Sequence, residues 1–267
     1  MFIKTAIVNF EKMKYFIISF ILFYSLIVPE GYSQVSPFHY RKYTNEKGDT
    51  LLYRFLESDY NTSRKYPLVI FLHGSGESGN DNNAQLKWGV MNFASDENMK
   101  LHPAFVIAPQ CPADDDWSNF KSDGSTNGLT LLPKPTRSMQ LLIGLIAELI
   151  EKFPIDKDRV YITGLSMGGA GTYDAISRYP DLFAAAVPVC GEGDVTKAST
   201  FKDVPIWIFH GAEDPGVNPN QARSMLEALT KAGAHPGYTQ YPEVGHFSWL
   251  AAYSDLMMME WLFRQRR

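Results

Sequence analysis

Three residues of this chain have the types and order needed for acyl transfer: Ser166, Asp214 and His246. Ser166 lies in Gly164-Leu165-Ser166-Met167-Gly168, a G-x-S-x-G spacing in which a tight strand-to-helix turn lifts a serine hydroxyl to the edge of a sheet. The flanking glycines have a mechanical reason, because a Cβ at either one would collide with the turn or the crossing helix. An ordinary βα turn with an idle serine has the same five residues. What separates the two is the arrival of a base and a carboxylate later in the chain. His246, in Glu243-Val-Gly-His246, is the candidate base, and Asp214, in His210-Gly-Ala-Glu-Asp214, is the candidate acid, with Glu213 as the neighbouring alternative. In such a trio the imidazole takes the serine proton during attack and returns it to the leaving group, while the carboxylate holds the ring's tautomer. The tetrahedral oxygen then needs two donors. The Met167 N–H follows the nucleophile directly, and the second donor comes from His73-Gly-Ser-Gly-Glu-Ser-Gly79, by the Ser75 N–H or alternatively that of Gly76.

These residues require a scaffold that brings distant segments to one edge. Phe38–Thr44 and Thr50–Glu57 read as an antiparallel hairpin about a turn at 45–48. Pro67–Leu72 and Ala104–Ala108 are continuous apolar runs of strand length, expected to be buried on both faces. Ala84–Ala94 reads as a helix, as do Thr136–Phe153, Asn220–Ala232 and Phe247–Arg264. Further strands are expected at Val160–Ile162, Ala184–Cys190, Val204–Phe209 and Gly237–Tyr241. Residues 113–135 form a long polar segment of the kind that shapes a pocket. Alternating strands and helices imply an α/β fold, with a mostly parallel sheet of about eight strands covered by helices on both faces. Functional groups then gather beyond the carboxyl ends of the strands, where Ser166, Asp214 and His246 all fall.

With 267 residues, 45% of them hydrophobic, the chain can bury one substantial core. A net charge of -4 supplies no basic stripe, so nucleic acid is not an expected partner. The other histidines are His39, His73, His102, His210 and His235, and none pairs with another at metal-ligand spacing beside a carboxylate. No metal or cofactor is expected. His73 and His210 each precede a glycine at a strand end and read as structural groups bonding backbone. At the N-terminus, Lys12 and Lys14 precede an uncharged run from Tyr15 to Val28, then Gly31 and Ser33. That is the pattern of a secretory signal, with Met13 as an alternative start. The expected division is a signal peptide at 1–33 and a single domain at 34–267, secreted or periplasmic and without a stable membrane anchor once the signal is removed. An uncleaved anchor is the alternative, although the run is short for a membrane span.

Taken together, Leu72-His-Gly-Ser-Gly-Glu-Ser-Gly-Asn-Asp81, Ala108-Pro-Gln-Cys-Pro112 with Trp117, the Ser166 pentapeptide, His210-Gly-Ala-Glu-Asp214 and Gly245-His246 resemble the secreted α/β-hydrolase esterases. That group is related to feruloyl and acetylxylan esterases and polyhydroxybutyrate depolymerases, and includes proteins labelled predicted peptidases or phospholipases. The resemblance runs from about residue 38 to the C-terminus. It implies the α/β-hydrolase fold, Ser166 as nucleophile, His246 as base and Asp214, the Asp of the family's H-G-x-x-D pattern, as acid. It also implies a sheet order that keeps Cys111 and Cys190 apart as free, buried thiols. Gly216 departs from relatives that carry a bulkier residue there. Trp88, Trp117 and Trp249 are candidate pocket walls, although tryptophans near helix starts serve equally well in packing. The expected activity is a serine carboxylic-ester hydrolase acting on acyl or feruloyl esters of plant polysaccharide. A peptidase or polyester depolymerase on the same trio is the alternative, with a non-catalytic binding module as a third reading.

Overall fold

A computed structural model of the chain describes residues 36–57, 60–125 and 128–267. The expected signal peptide at 1–33 lies outside the described residues. In Pro37–Arg267 the core is an eight-stranded sheet. Its strands are β1 (Phe38–Thr44), β2 (Thr50–Leu56), β3 (Tyr66–Leu72), β4 (Phe105–Gln110), β7 (Ile155–Leu165), β8 (Ala185–Val189), β9 (Trp207–Gly211) and β10 (Gly237–Tyr241), in the spatial order β1-β2-β4-β3-β7-β8-β9-β10. The first two strands pair antiparallel with each other, and β2 runs antiparallel to β4. All later pairings are parallel.

Continuous apolar strands follow from covering both faces of this sheet. Along β3, Leu68, Ile70 and Leu72 point to one face, and Val69 and Phe71 to the other. The first face packs on α2 (Arg137–Lys152) through Leu142, Leu145 and Leu149, on α3 (Met167–Arg178) through Tyr173 and Ile176, and on α4 (Pro219–Lys231) through Met225 and Leu229. The second face packs on Phe93 and on Tyr253, Met258 and Leu262 near the C-terminus. Each such side chain taken out of water contributes roughly 1.5–3 kcal/mol. The start of α2 is capped by Thr136, whose hydroxyl accepts from the Met139 N–H at 3.1 Å.

Two expected helices differ from the structure. Ala84–Ala94 is not one helix but two 3-10 turns, Ala84–Leu86 and Val90–Ala94, separated at Gly89. Gly89 has φ 71°, and a Cβ there would meet the Tyr253 ring at 2.4 Å, so tertiary packing overrides the helical spacing. Phe247–Arg264 is also divided, into a 3-10 turn at His246–Ser248, α5 (Trp249–Ala252) and α6 (Leu256–Arg264). The break comes where the Asp255 carboxylate accepts from the Met257 N–H at 2.8 Å and starts a new helix. A short helix at Asp96–Leu101 (α1), capped by Ser95, was not expected from the sequence. The polar segment 113–135 contains a small antiparallel pair, β5 (Phe120–Ser122) with β6 (Leu129–Leu131).

Candidate active site

The sheet's register lines up the strand ends that matter. Leu72 of β3 pairs with Gly164 of β7, and Leu165 pairs with Val189 of β8, which in turn pairs with Phe209 of β9. The chain leaves β3 toward β4 on one side and leaves β7 toward β8 on the other. The crevice between these diverging connections is the switch point at which open α/β sheets hold ligands. Ser166 and Ser75 both stand at that crevice.

Ser166 is strained, with φ 53° and ψ -117°, directly ahead of helix α3. Its N–H donates to the Val189 carbonyl at 2.9 Å and its carbonyl accepts from the Ala170 N–H at 3.0 Å, so the turn is fixed from both sides. The close approach that makes this possible is measured at Gly168, where a Cβ would stand 2.0 Å from the Leu72 carbonyl oxygen. Backbone cannot yield there, so the small residue is obligatory.

His246 Nε2 lies 2.9 Å from Ser166 Oγ, and His246 Nδ1 lies 2.7 Å from Asp214 Oδ2. Asp214 is 6% exposed, and its Oδ1 accepts from the N–H groups of Gly216 and Val217 at 2.8 and 2.9 Å. An ionised carboxylate only accepts, so Nδ1 of the neutral imidazole carries the proton and Nε2 is free to accept the serine hydrogen. Glu213 is exposed and plays no part in this chain of bonds. The departure at Gly216 lies on the histidine itself, since a Cβ there would stand 3.4 Å from His246 Cγ.

The other histidines behave as structural groups. The Cys111 N–H donates to His73 Nε2 at 2.9 Å, which leaves His73 Nδ1 to donate to the Gly74 carbonyl at 2.7 Å. Burial holds the His73 pKa down at about 4. His210, also buried with a lowered pKa, bonds the Gly211 carbonyl at 3.0 Å. Cys111 and Cys190 are free and buried, and burial pushes both thiols up to about 12. Two strands separate the ends from which they emerge. Among the described residues, one group of potential metal ligands meets, Cys190 with Asp214 and His246, and two of its three members are already committed to the bonds above.

Of the three tryptophans expected to line a pocket, Trp117 does not. It is fully buried, donates from Nε1 to the His73 carbonyl at 3.2 Å and would clash with any Cβ at Gly171. It packs the helix that follows Ser166 against the β3 loop. Trp249 stands edge-on to the His246 ring at 5.2 Å, and Trp88 lies 6.1 Å from both Trp249 and Phe247. Phe247, 56% exposed, was not singled out from the sequence, although its place beside His246 is the signal that could have found it. Met167 is the first residue of α3, where N–H groups have no partner within the helix. Ser75, exposed, opens a 3-10 turn at Ser75–Glu77 after the buried Gly74.

Residues 134–255 match the model of the Dienelactone hydrolase family. A crystal structure of a thermostable esterase superposes with TM-score 0.80 at 38% identity, covering 86% of this chain and 64% of that one. A ferulic acid esterase superposes with TM-score 0.65 over 85% of this chain and 98% of the other, at 15% identity, a likeness of fold alone. The fold is the α/β-hydrolase fold. In sequence, the chain is 27% identical over 167 residues to the bifunctional acetylxylan esterase/xylanase XynS20E of Neocallimastix patriciarum, over 62% of its own length. It spans 22% of that relative and 23% of an uncharacterized secreted protein of Arthroderma benhamiae. The expected resemblance to acetylxylan and feruloyl esterases is thus present in both sequence and fold.

Proposed function

We propose that the chain is a serine carboxylic-ester hydrolase that works through an acyl-enzyme. The observation that carries this reading is the continuous hydrogen-bonded path from Ser166 Oγ through His246 to Asp214, with the serine on a strained strand-to-helix turn. Ser166 attacks the ester carbonyl as His246 Nε2 takes its proton, and the Met167 and Ser75 amides receive the oxyanion. His246 then gives that proton to the departing alcohol, and water releases the acyl group by the same route. Asp214 keeps the imidazole oriented and balances its charge.

The substrate class we assign is acyl or feruloyl esters of plant polysaccharide. The similarity to an acetylxylan esterase supports it, as does the aromatic wall of Trp88, Phe247 and Trp249 beside the base. We further assign residues 1–33 as a cleaved signal and 34–267 as one exported domain, which N-terminal sequencing of the exported protein tests. Among the described residues no helix is long and apolar enough to cross a membrane.

The test compares wild type with Ser166→Ala on p-nitrophenyl acetate, methyl ferulate and a peptide anilide. Wild type is expected to turn over both esters and to leave the anilide nearly untouched. The variant is expected to lose on the order of 10⁶-fold in kcat. No turnover of either ester by wild type, or equal rates for the variant, would remove the reading. Faster cleavage of the anilide than of the esters would transfer it to a peptidase.

A further inference from the structure

Beside the base, one large aromatic side chain stands in solvent. Phe247 directly follows His246 and is 56% exposed, whereas Trp249, 4.6 Å away between ring centres, is buried. Trp88, half-buried, stands 6.1 Å from each of them, and the Lys87 ammonium lies 5.0 Å from its ring centre. Trp249 links this ledge to the chemistry, because its ring meets His246 edge-on at 5.2 Å. Exposed apolar surface clustered in this way marks a place where something binds. The proton path says which half of an ester meets it. His246 Nε2, 2.9 Å from Ser166 Oγ, hands the proton to the leaving alcohol, whose oxygen must come within about 2.6–3.2 Å of that nitrogen. The carbonyl oxygen turns instead toward the Met167 and Ser75 amides, and the acyl chain leaves the same carbon in a third direction. Whatever is attached to the alcohol oxygen therefore starts next to His246, where the ledge begins.

We infer that Phe247, backed by Trp88 and Trp249, is the subsite for the alcohol half of the substrate, a sugar ring of the polysaccharide, and not for its acyl group. The inference rests on the ester-hydrolase reading above. The C–H groups on one face of a sugar ring are slightly positive and form a flat apolar surface, which suits the negative face of an aromatic ring. The sugar hydroxyls then point out from the rim, where water still reaches an exposed side chain. A feruloyl ring gains most from an enclosed slot that takes both of its faces out of water. A ledge open on one side serves a polymer that continues past the site.

The test, made on the full chain, uses two esters of opposite shape. An acetylated xylo-oligosaccharide has a small acyl group and a large alcohol, and methyl ferulate has the reverse. Each variant is compared with wild type on the same ester, so that intrinsic reactivity cancels. Phe247→Ala is expected to lower kcat/KM for the xylo-oligosaccharide by about 5–30-fold, mostly through KM, and to leave methyl ferulate within about twofold. Phe247→Tyr keeps the ring and is expected to stay within about threefold of wild type on both. Phe247→Leu keeps apolar bulk without an aromatic face, is expected to fall on the xylo-oligosaccharide alone, and replaces the alanine variant should that one not fold. A loss on methyl ferulate as large as that on the xylo-oligosaccharide would overturn the inference, giving the ledge to the acyl group or to support of His246. Unchanged rates on both esters would overturn it as well, as would a wild type that cleaves methyl ferulate and leaves the xylo-oligosaccharide intact. If wild type cleaves neither ester, or Ser166→Ala retains the wild-type rate, the ester-hydrolase reading falls first and takes the subsite with it. A Phe247 failure beside an inactive Ser166→Ala removes the subsite alone.

Discussion

His73 should make the folded protein lose stability between neutral pH and about pH 4, by an amount that its surroundings set. Its ring is 1% exposed, with Nε2 accepting from the Cys111 N–H and Nδ1 donating to the Gly74 carbonyl. A proton on Nε2 would face another donor, and burial withholds the water that would stabilise the charge. The folded pKa is therefore about 4 against an ordinary 6.5, although the Gly74 carbonyl and Asp81 pull it upward. The unfolded chain takes up this proton first as pH falls, so protonation favours unfolding throughout that window. Each pKa unit is worth about 1.4 kcal/mol, which gives a loss of about 2 kcal/mol by pH ~5 and about 3 kcal/mol by pH ~4. Above pH ~7 the effect is absent. Urea unfolding of wild type and His73→Gln at pH ~7.5, ~6 and ~5 isolates it, because other titrating groups are common to both. The glutamine variant, whose Oε1 can accept from Cys111, is expected to start less stable and to fall less steeply. Parallel curves for the two proteins would refute the argument that this ring is held neutral.

Two further results follow from the site and its supports. Asp214→Asn should lower kcat by roughly 10⁴-fold through loss of the correct imidazole tautomer, whereas Glu213→Gln should leave it within about twofold; equal losses would make the acid assignment untenable. The Arg178 guanidinium bonds the buried Asp174 carboxylate at 2.6 Å and the carbonyls of Leu132 and Pro133 at 2.8 and 2.9 Å, clamping the 113–135 segment onto α3. Arg178→Ala leaves the buried Asp174 charge with the Asn119 N–H but without its cation, and should cost about 3–5 kcal/mol in urea unfolding while exposing that segment to limited proteolysis. An unchanged cleavage pattern would show that the segment is held by other contacts.

The boundaries of a strand were legible where burial on both faces imposed a continuous apolar run, as in Pro67–Leu72. The long helix at Arg137–Lys152 was equally clear from its spacing. Helices whose partners lie far along the chain were not. Gly89 is turned by the Tyr253 ring, 164 positions later in sequence, and no local pattern near Ala84–Ala94 carries that information. The same holds for Trp117, which reads as a wall and is in fact enclosed between the β3 loop and Gly171.

For the site, the sequence by itself determined the chemistry available: one serine in a glycine-flanked turn, one later pair of adjacent carboxylates and His246, the last of three later histidines, in an order that a parallel sheet can gather at one edge. Backbone sterics make that much local, because the glycine spacing is legible without knowing what packs against it. Only the tertiary structure shows which of Asp214 and Glu213 reaches His246 Nδ1, since adjacent side chains diverge. It alone also set the buried Glu77 carboxylate beside Gly74, just ahead of Ser75. Such groupings depend on distances between segments, and those are set by how two faces of one sheet are covered rather than by the identity of any short stretch.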